Sequence, residues 1–204
     1  MHILENLLLL IVSYLLGSVC TAIPVCKLLG LPDPRSSGSG NPGTTNVLRV
    51  GGKGAALLTL AGDMLKGVIP VLVGRALGAT PLFEAALGFT AFLGHLFPLY
   101  YRFAGGKGVA TAFGVLFALN PILGLCTGAL WIALFALTRY SSLAALVSFG
   151  LLPALAYQLD RAHFPIICLI CLFLITRHHA NIRALLHGQE RRFSHKTNPE
   201  SSEV

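Results

Sequence analysis

The sequence is poor in charge and poorer still in acid. Of its 204 residues 11% are charged, and only 8 are Asp or Glu, against roughly 25% charged residues in ordinary soluble domains. No acidic residues cluster in the basic loops described below, so a two-metal phosphoryl-transfer site has no ligands to draw on. No glycine loop is followed by Lys-Ser or Lys-Thr, which excludes the Walker A mode of nucleoside triphosphate binding. The adjacent His178 and His179 project differently and have no cysteine or nearby carboxylate to complete a zinc set. Cys20, Cys26, Cys126, Cys168 and Cys171 lie in or at the edge of apolar runs; Cys168 and Cys171 have redox-motif spacing, but IICLICLFLI offers no polar neighbour to stabilise a thiolate. All five read as small buried hydrophobes. Neither a metal nor an organic cofactor is expected.

What the chain does contain is hydrocarbon: 54% of residues are hydrophobic and the mean hydropathy is +0.74. Apolar runs cover residues 3–26, 55–77, 82–100, 108–119, 121–138, 141–159 and 163–178, several of them close to the ~20 residues that cross a bilayer as a helix. The fold class expected is all-α, a polytopic transmembrane helical bundle of about seven spans. Residues 1–193 read as one integral-membrane domain and 194–204 as a polar, flexible tail. The first run lacks the basic flank and small-residue cleavage site of a secretory signal and is read as a retained span. Residues 108–138 form either two spans or one span broken at Asn120-Pro121.

Basic residues decide between these. With seven spans, twelve of the 15 Lys and Arg residues fall in one set of loops, only Arg75 and Arg161 in the other, and Lys66 lies inside a span. By the positive-inside rule the crowded side is cytoplasmic, which puts the N-terminus outside and the C-terminus inside. Topology thus accounts for the net charge of +7 without nucleic acid. Asp63 and Lys66, three apart in the second span, are expected to neutralise each other across one turn.

Three polar segments, 27–54, 101–108 and 177–196, emerge on that basic face and can meet there. The first carries GSGNPGTTN, residues 38–46, followed by Arg49. Glycines let successive N–H groups converge on one concavity, and Ser, Thr, Asn and Arg side chains add donors, a pattern suited to phosphate or to a plain interhelical loop. The second carries Gly105, Gly106, Lys107 and Gly108 just before an apolar helix, where free N–H groups, the positive helix end and one ammonium favour an anion, although a lysine at a membrane boundary also serves as an anchor. His95 precedes it inside the membrane, either as a packing donor or as a functional group. The third segment, RHHANIRALLHGQE, places His178 and Asn181 on one helical face. A short turn, Arg139 with Ser141 and Ser142, adds one more anion ligand.

Taken in order, these motifs resemble the bacterial acyl-phosphate:glycerol-3-phosphate acyltransferase family over nearly the whole chain. The resemblance rests on Gly17-Ser18, Asp33 and Arg35, GSGNPGTTNVLR, the D-x-x-K-G of Asp63 to Gly67, GH-x-x-P followed by F-x-GGKGVAT, and H-x-x-NI with a trailing G-x-E at Gly188 to Glu190. Ala184 departs from it, since the family usually has a basic residue after NI-x, and so does Thr44, where alanine is common. The resemblance implies acyl transfer from acyl phosphate to the 1-hydroxyl of sn-glycerol 3-phosphate, giving lysophosphatidic acid and inorganic phosphate, as the first step of phospholipid synthesis. By motif position it implies Ser39, Asn41, Thr45, Arg49, Lys107, His178 and Asn181 as substrate contacts. With the reading of the loops, the expected catalytic residues are Lys107, His95 and His178, and the expected binding residues Ser39, Gly40, Asn41, Thr45, Asn46, Arg49, Gly105, Gly106, Gly108, Ser142 and Asn181, with either His95 or a substrate phosphate oxygen as the base. Partners are then the two substrates and membrane lipid, with no obligate protein partner. The alternative is a transporter of a small organic phosphate, but no internal repeat is evident and the polar residues gather at one face instead of the membrane midplane.

Overall fold

The computed structural model describes residues 3–193; the expectation of a flexible 194–204 tail lies outside them. The described residues form nine α-helices and one 3-10 turn with no strand: α1 (Ile3–Gly17), α2 (Ala22–Leu28), α3 (Thr44–Ala76), α4 (Pro81–Leu96), the turn Leu99–Tyr101, α5 (Val109–Leu119), α6 (Pro121–Thr138), α7 (Ser141–Leu159), α8 (Phe164–Arg177) and α9 (His179–Leu186). Each apolar run of the sequence becomes helix. Between helices in lipid, the small residues allow close approach, because hydrocarbon tails compete on equal terms with bulky side chains. A Cβ on Gly17 of α1 would lie 2.0 Å from the Ala91 carbonyl oxygen of α4, and one on Gly94 of α4 would lie 2.4 Å from that of Tyr14. Gly67 of α3 and Gly114 of α5 make the same reciprocal contact against Thr111 and Met64. Two backbone-to-backbone crossings therefore set α1 on α4 and α3 on α5. Phe92, Leu96, Leu116, Phe149, Ile167 and Leu174 fill the shared core.

Length refines the span count. Among the described residues only α3, α6, α7 and the segment Pro81–Tyr101 are each long and apolar enough to cross a membrane, and the bent pairs α1–α2 and α8–α9, with bends of 45° and 57°, raise the number to six. The expected seventh, α5, has 11 residues and is about 16 Å long, well short of a ~30 Å hydrocarbon core. It is nevertheless not the first half of one broken span. The Phe117 ring lies where a Cβ on Gly124 would be, and the Phe113 ring is the neighbour of Gly128, so α5 and α6 fold back on each other as a hairpin. Asn120 turns the corner, its side chain accepting from the N–H groups of Ile122 and Leu123, with Pro121 at the first helical position.

The first polar segment is shorter than the sequence suggests, because residues 44–54 extend α3 instead of joining the loop; a non-helical Gly52, at φ +78°, bends it there. α1 is interrupted between Gly17 and Ala22, and the break frees the Val19 carbonyl. Lys66 donates to that oxygen at 2.6 Å while its Nζ lies 2.8 Å from Asp63 Oδ1, both side chains being almost fully buried. The expected pair is present, and it fastens the break in α1–α2 to α3.

The loops sort to two ends. At one, Arg75 pairs with Glu84 at 3.0 Å and reaches the Leu119 carbonyl, and Asn120 donates to Asp160. At the other end the three polar segments and the α6–α7 turn converge. Replacing Lys66 by Met leaves Asp63 as an uncompensated buried charge and is expected to cost about 3–5 kcal/mol, whereas the double replacement Asp63→Leu, Lys66→Met recovers most of that loss. Thermal unfolding in detergent measures both.

Candidate active site

The first wall is a loop buckled from inside. Asn46, in the first turn of α3 and 1% exposed, turns its amide back on the chain: Nδ2 donates to the carbonyls of Pro34 and Ser37 at 2.8 and 2.9 Å, and Oδ1 accepts from Ser39 N–H at 2.8 Å. Gly38 adopts φ +64°, and a Cβ there would sit 2.2 Å from that same Oδ1, so both conformation and space demand glycine. Outside the buckle, an ion pair at 2.6 Å joins Arg35 to Asp33. The loop ends at Gly43, which caps α3 without a side-chain hydrogen bond. The first N–H groups of α3 thus remain available beside Thr44 and Thr45, a positive helix end facing the space enclosed.

The second wall is the Gly105–Gly108 loop, held from both sides. Gly106 N–H donates to the His95 carbonyl at 3.2 Å, and Arg177 from the end of α8 donates to the carbonyls of Gly105 and Gly106. Lys107 projects from this clamp and donates to Asn181 Oδ1. Burial pushes the Lys107 ammonium below the ordinary lysine range; Glu190 opposes that shift, and the positive charges of Arg49 and Arg177 add to it. His95 lies below, 3% exposed, with Nδ1 3.6 Å from Asp63 Oδ1 and its Nε2 edge packed on Gly106.

Between the walls is a cavity of about 790 Å³. Ser39, Gly40, Asn41, Thr45, Asn46, Arg49, His95, Lys107, Gly108, Ser142 and Asn181 all line it, so eleven of the fourteen residues expected from the sequence meet there. Gly105, Gly106 and His178 do not. The two glycines serve as acceptors for Arg177, and His178 is 2% exposed in the α8–α9 bend, its Nδ1 against the Leu174 carbonyl at 2.7 Å. Arg139 is likewise absent from the wall. Away from the polar end the cavity continues over Met64 of α3, Phe113 and Phe117 of α5, and Gly128, Trp131 and Ile132 of α6.

Sequence reasoning counted Gly188 to Glu190 in the resemblance but assigned no site role to the segment after α9. Glu190 Oε1 accepts from Ser142 Oγ and Asn181 Nδ2, Arg191 donates to the Gly38 carbonyl at 2.8 Å, and Arg49 donates to the Arg191 carbonyl. Phe193 N–H donates to the Arg139 carbonyl at 2.8 Å, and its ring packs on Phe135. The signals available were that G-x-E motif and its lone carboxylate, Glu190, in a basic terminal stretch.

The family model described as glycerol-3-phosphate acyltransferase matches residues 7–188. The chain belongs to this acyltransferase family. A glycerol-3-phosphate acyltransferase of Thioalkalivibrio sulfidiphilus is 53% identical over 191 residues, covering 93% of this chain and 94% of the relative. One of Pseudomonas paraeruginosa is 52% identical over 187 residues, covering 91% and 98%. Crystal structures of PlsY, an integral membrane glycerol 3-phosphate acyltransferase, superpose with a TM-score of 0.88 at 37% identity for the glycerol 3-phosphate form, covering 93% of this chain and 96% of that one. The lysophosphatidic acid form gives 0.86 at 36%. This protein is therefore a multi-pass membrane acyltransferase.

Two outcomes follow from the walls. Asn46→Asp sets a second carboxylate oxygen against the Pro34 and Ser37 carbonyls; it is expected to destabilise the protein by about 1–3 kcal/mol and to expose residues 33–43 to limited proteolysis. Raising the pH through the lowered Lys107 value removes its charge, so activity should fall at a pH below the usual lysine range. In Lys107→Arg the guanidinium stays charged, and the alkaline limb of the pH–rate profile should move upward.

Proposed function

We propose that this acyltransferase moves the acyl group of an acyl phosphate to the 1-hydroxyl of sn-glycerol 3-phosphate, yielding lysophosphatidic acid and inorganic phosphate. One observation carries the reading: a single cavity joins a cationic, glycine-built end to an apolar end. Both substrates bear phosphate, and the donor also bears a hydrocarbon tail. The names of the relatives support the acceptor, and the two ligand forms of PlsY support acceptor and product.

The acceptor hydroxyl oxygen bonds to the acyl carbonyl carbon, the bond from that carbon to the phosphate oxygen breaks, and the departing phosphate keeps the electron pair. Because an acyl phosphate is already activated, the protein has mainly to align the two groups and stabilise developing negative charge. No protein nucleophile and no cofactor is needed. Ser39, Gly40, Asn41, Thr45, Arg49 and the open N-terminus of α3 bind one phosphate. Lys107, steadied by Asn181 and backed by Gly108, stabilises the oxyanion or leaving phosphate. Ser142 and Asn181 orient the acceptor, and His178 acts from behind them by fixing the bend one turn before Asn181. Gly105 and Gly106 shape the loop that carries Lys107, and Asn46 shapes the opposite one.

The hydroxyl proton goes to a phosphate oxygen of the substrate. His95 is the other candidate base: its Nδ1 faces Asp63, while its Nε2 lies beside Gly106 in the cavity wall. The basic end of the bundle faces the cytoplasm in this reading, at the inner membrane, where the positive-inside rule puts it.

Purified protein in detergent, given acyl phosphate and glycerol 3-phosphate, should release phosphate and lysophosphatidic acid in equal amounts. Movement of an organic phosphate across vesicles without phosphate release would overturn the reading. His95→Ala that melts like wild type should keep kcat within about tenfold, whereas loss of a general base costs about 10²–10⁴.

A further inference from the structure

We infer that Arg191 is a further phosphate-binding residue, brought to the first wall by the segment that follows α9. The inference rests on the proposed reaction. It begins with charge. Among the described residues, the polar end of the cavity presents Arg49 and Lys107 as cations, but also the Glu190 carboxylate, a net of +1 against two substrates that each carry a phosphate. Asp63 and Lys66, deeper in the bundle, cancel each other. Two phosphate dianions brought together in one partly dehydrated cavity repel strongly unless cations lie between or beside them. Arg191 is the third cation in the cavity wall, and with it the polar end reaches +2.

The chain fixes Arg191 there through contacts on both sides. After α9, the N–H groups of Gln189 and Glu190 fold back on the Ala184 carbonyl at 2.7 and 3.1 Å. The Glu190 carboxylate is tied to Ser142 and Asn181, and Phe193 is tied to Arg139 through its N–H and to Phe135 through its ring. Arg191 lies between these two anchors. Its own carbonyl takes a hydrogen bond from Arg49 at 3.3 Å, and its Nη1 donates to Gly38 O at 2.8 Å. One of five guanidinium donors is thereby used to dock the side chain on the phosphate loop, and the planar fork is pre-oriented for an oxyanion beside that loop. Arg192, exposed as Arg191 is, is outside the cavity wall and serves as the internal control.

Arg191→Gln keeps a donor for the Gly38 carbonyl and removes the charge, while Arg191→Lys keeps the charge. In steady-state assays with acyl phosphate and glycerol 3-phosphate, Arg191→Gln should raise the KM of one of the two substrates by about 10–100-fold, the loss of one charge-assisted contact, with kcat within about threefold. The same variant should weaken product inhibition by inorganic phosphate, Arg191→Lys should recover part of both losses, and Arg192→Gln should behave as wild type. Unchanged KM values and unchanged phosphate inhibition in Arg191→Gln, at a wild-type melting temperature, would overturn the assignment. So would a fall in kcat with both KM values intact, which marks a structural strap only. Wild-type protein that releases no phosphate from the substrate pair sinks the proposed reaction itself, a result visible before any variant is made.

Discussion

The ammonium of Lys66 sits in a part of the molecule where water cannot solvate it, and the fold is arranged so that protein does so instead. Its partners come from two directions: the Asp63 carboxylate one turn away and the Val19 carbonyl exposed by the interruption of α1–α2. An unsatisfied carbonyl and an unpaired charge are each costly in hydrocarbon, and here each cancels the other's cost. The consequence spreads outward. Asp63 lies beside His95 of α4, the backbone of His95 holds Gly106, and Arg177 clamps Gly106 from the far side. A helix break in the first span is thus connected, through four contacts, to the loop that presents Lys107.

Much of this was legible in the residues. The apolar runs became helices because lipid leaves the backbone no other open arrangement, and the Asp63–Lys66 pair followed from helical spacing alone. The phosphate-suited loops could be read as well, since glycine, threonine and lysine before a helix are unusual amid so much hydrocarbon. What could not be read depended on distant partners. Asn46 looks like one more donor in a polar loop, but its amide is spent on Pro34, Ser37 and Ser39, a choice made by how the loop closes. His178 looks catalytic beside Asn181, yet the α8–α9 bend turns it inward. Arg191 meets Gly38 across 153 positions of sequence, and no local pattern announces a contact of that separation. The shortness of α5 was visible, but its hairpin with α6 is settled by two phenylalanine rings filling the faces of Gly124 and Gly128.

The scarcity of acid acquires a meaning at the site. Of the carboxylates near the cavity, Asp63 is neutralised by Lys66, and Glu190 is bound by Ser142 and Asn181. Glu190 acts on neutral donors, orienting the amide that in turn orients Lys107. The cavity therefore keeps a positive field while using one negative group for geometry.

Ile132 belongs to the cavity wall and is 64% exposed. A side chain that lines the cavity and is still mostly uncovered marks an apolar end that is not sealed over. Exposing a methylene to water costs about 0.8 kcal/mol, so for a long hydrocarbon chain the route by which it arrives and departs outweighs most contacts it makes. Under the proposed reaction, an unsealed apolar end lets the tail remain in oil, and the protein is left to manage the headgroups.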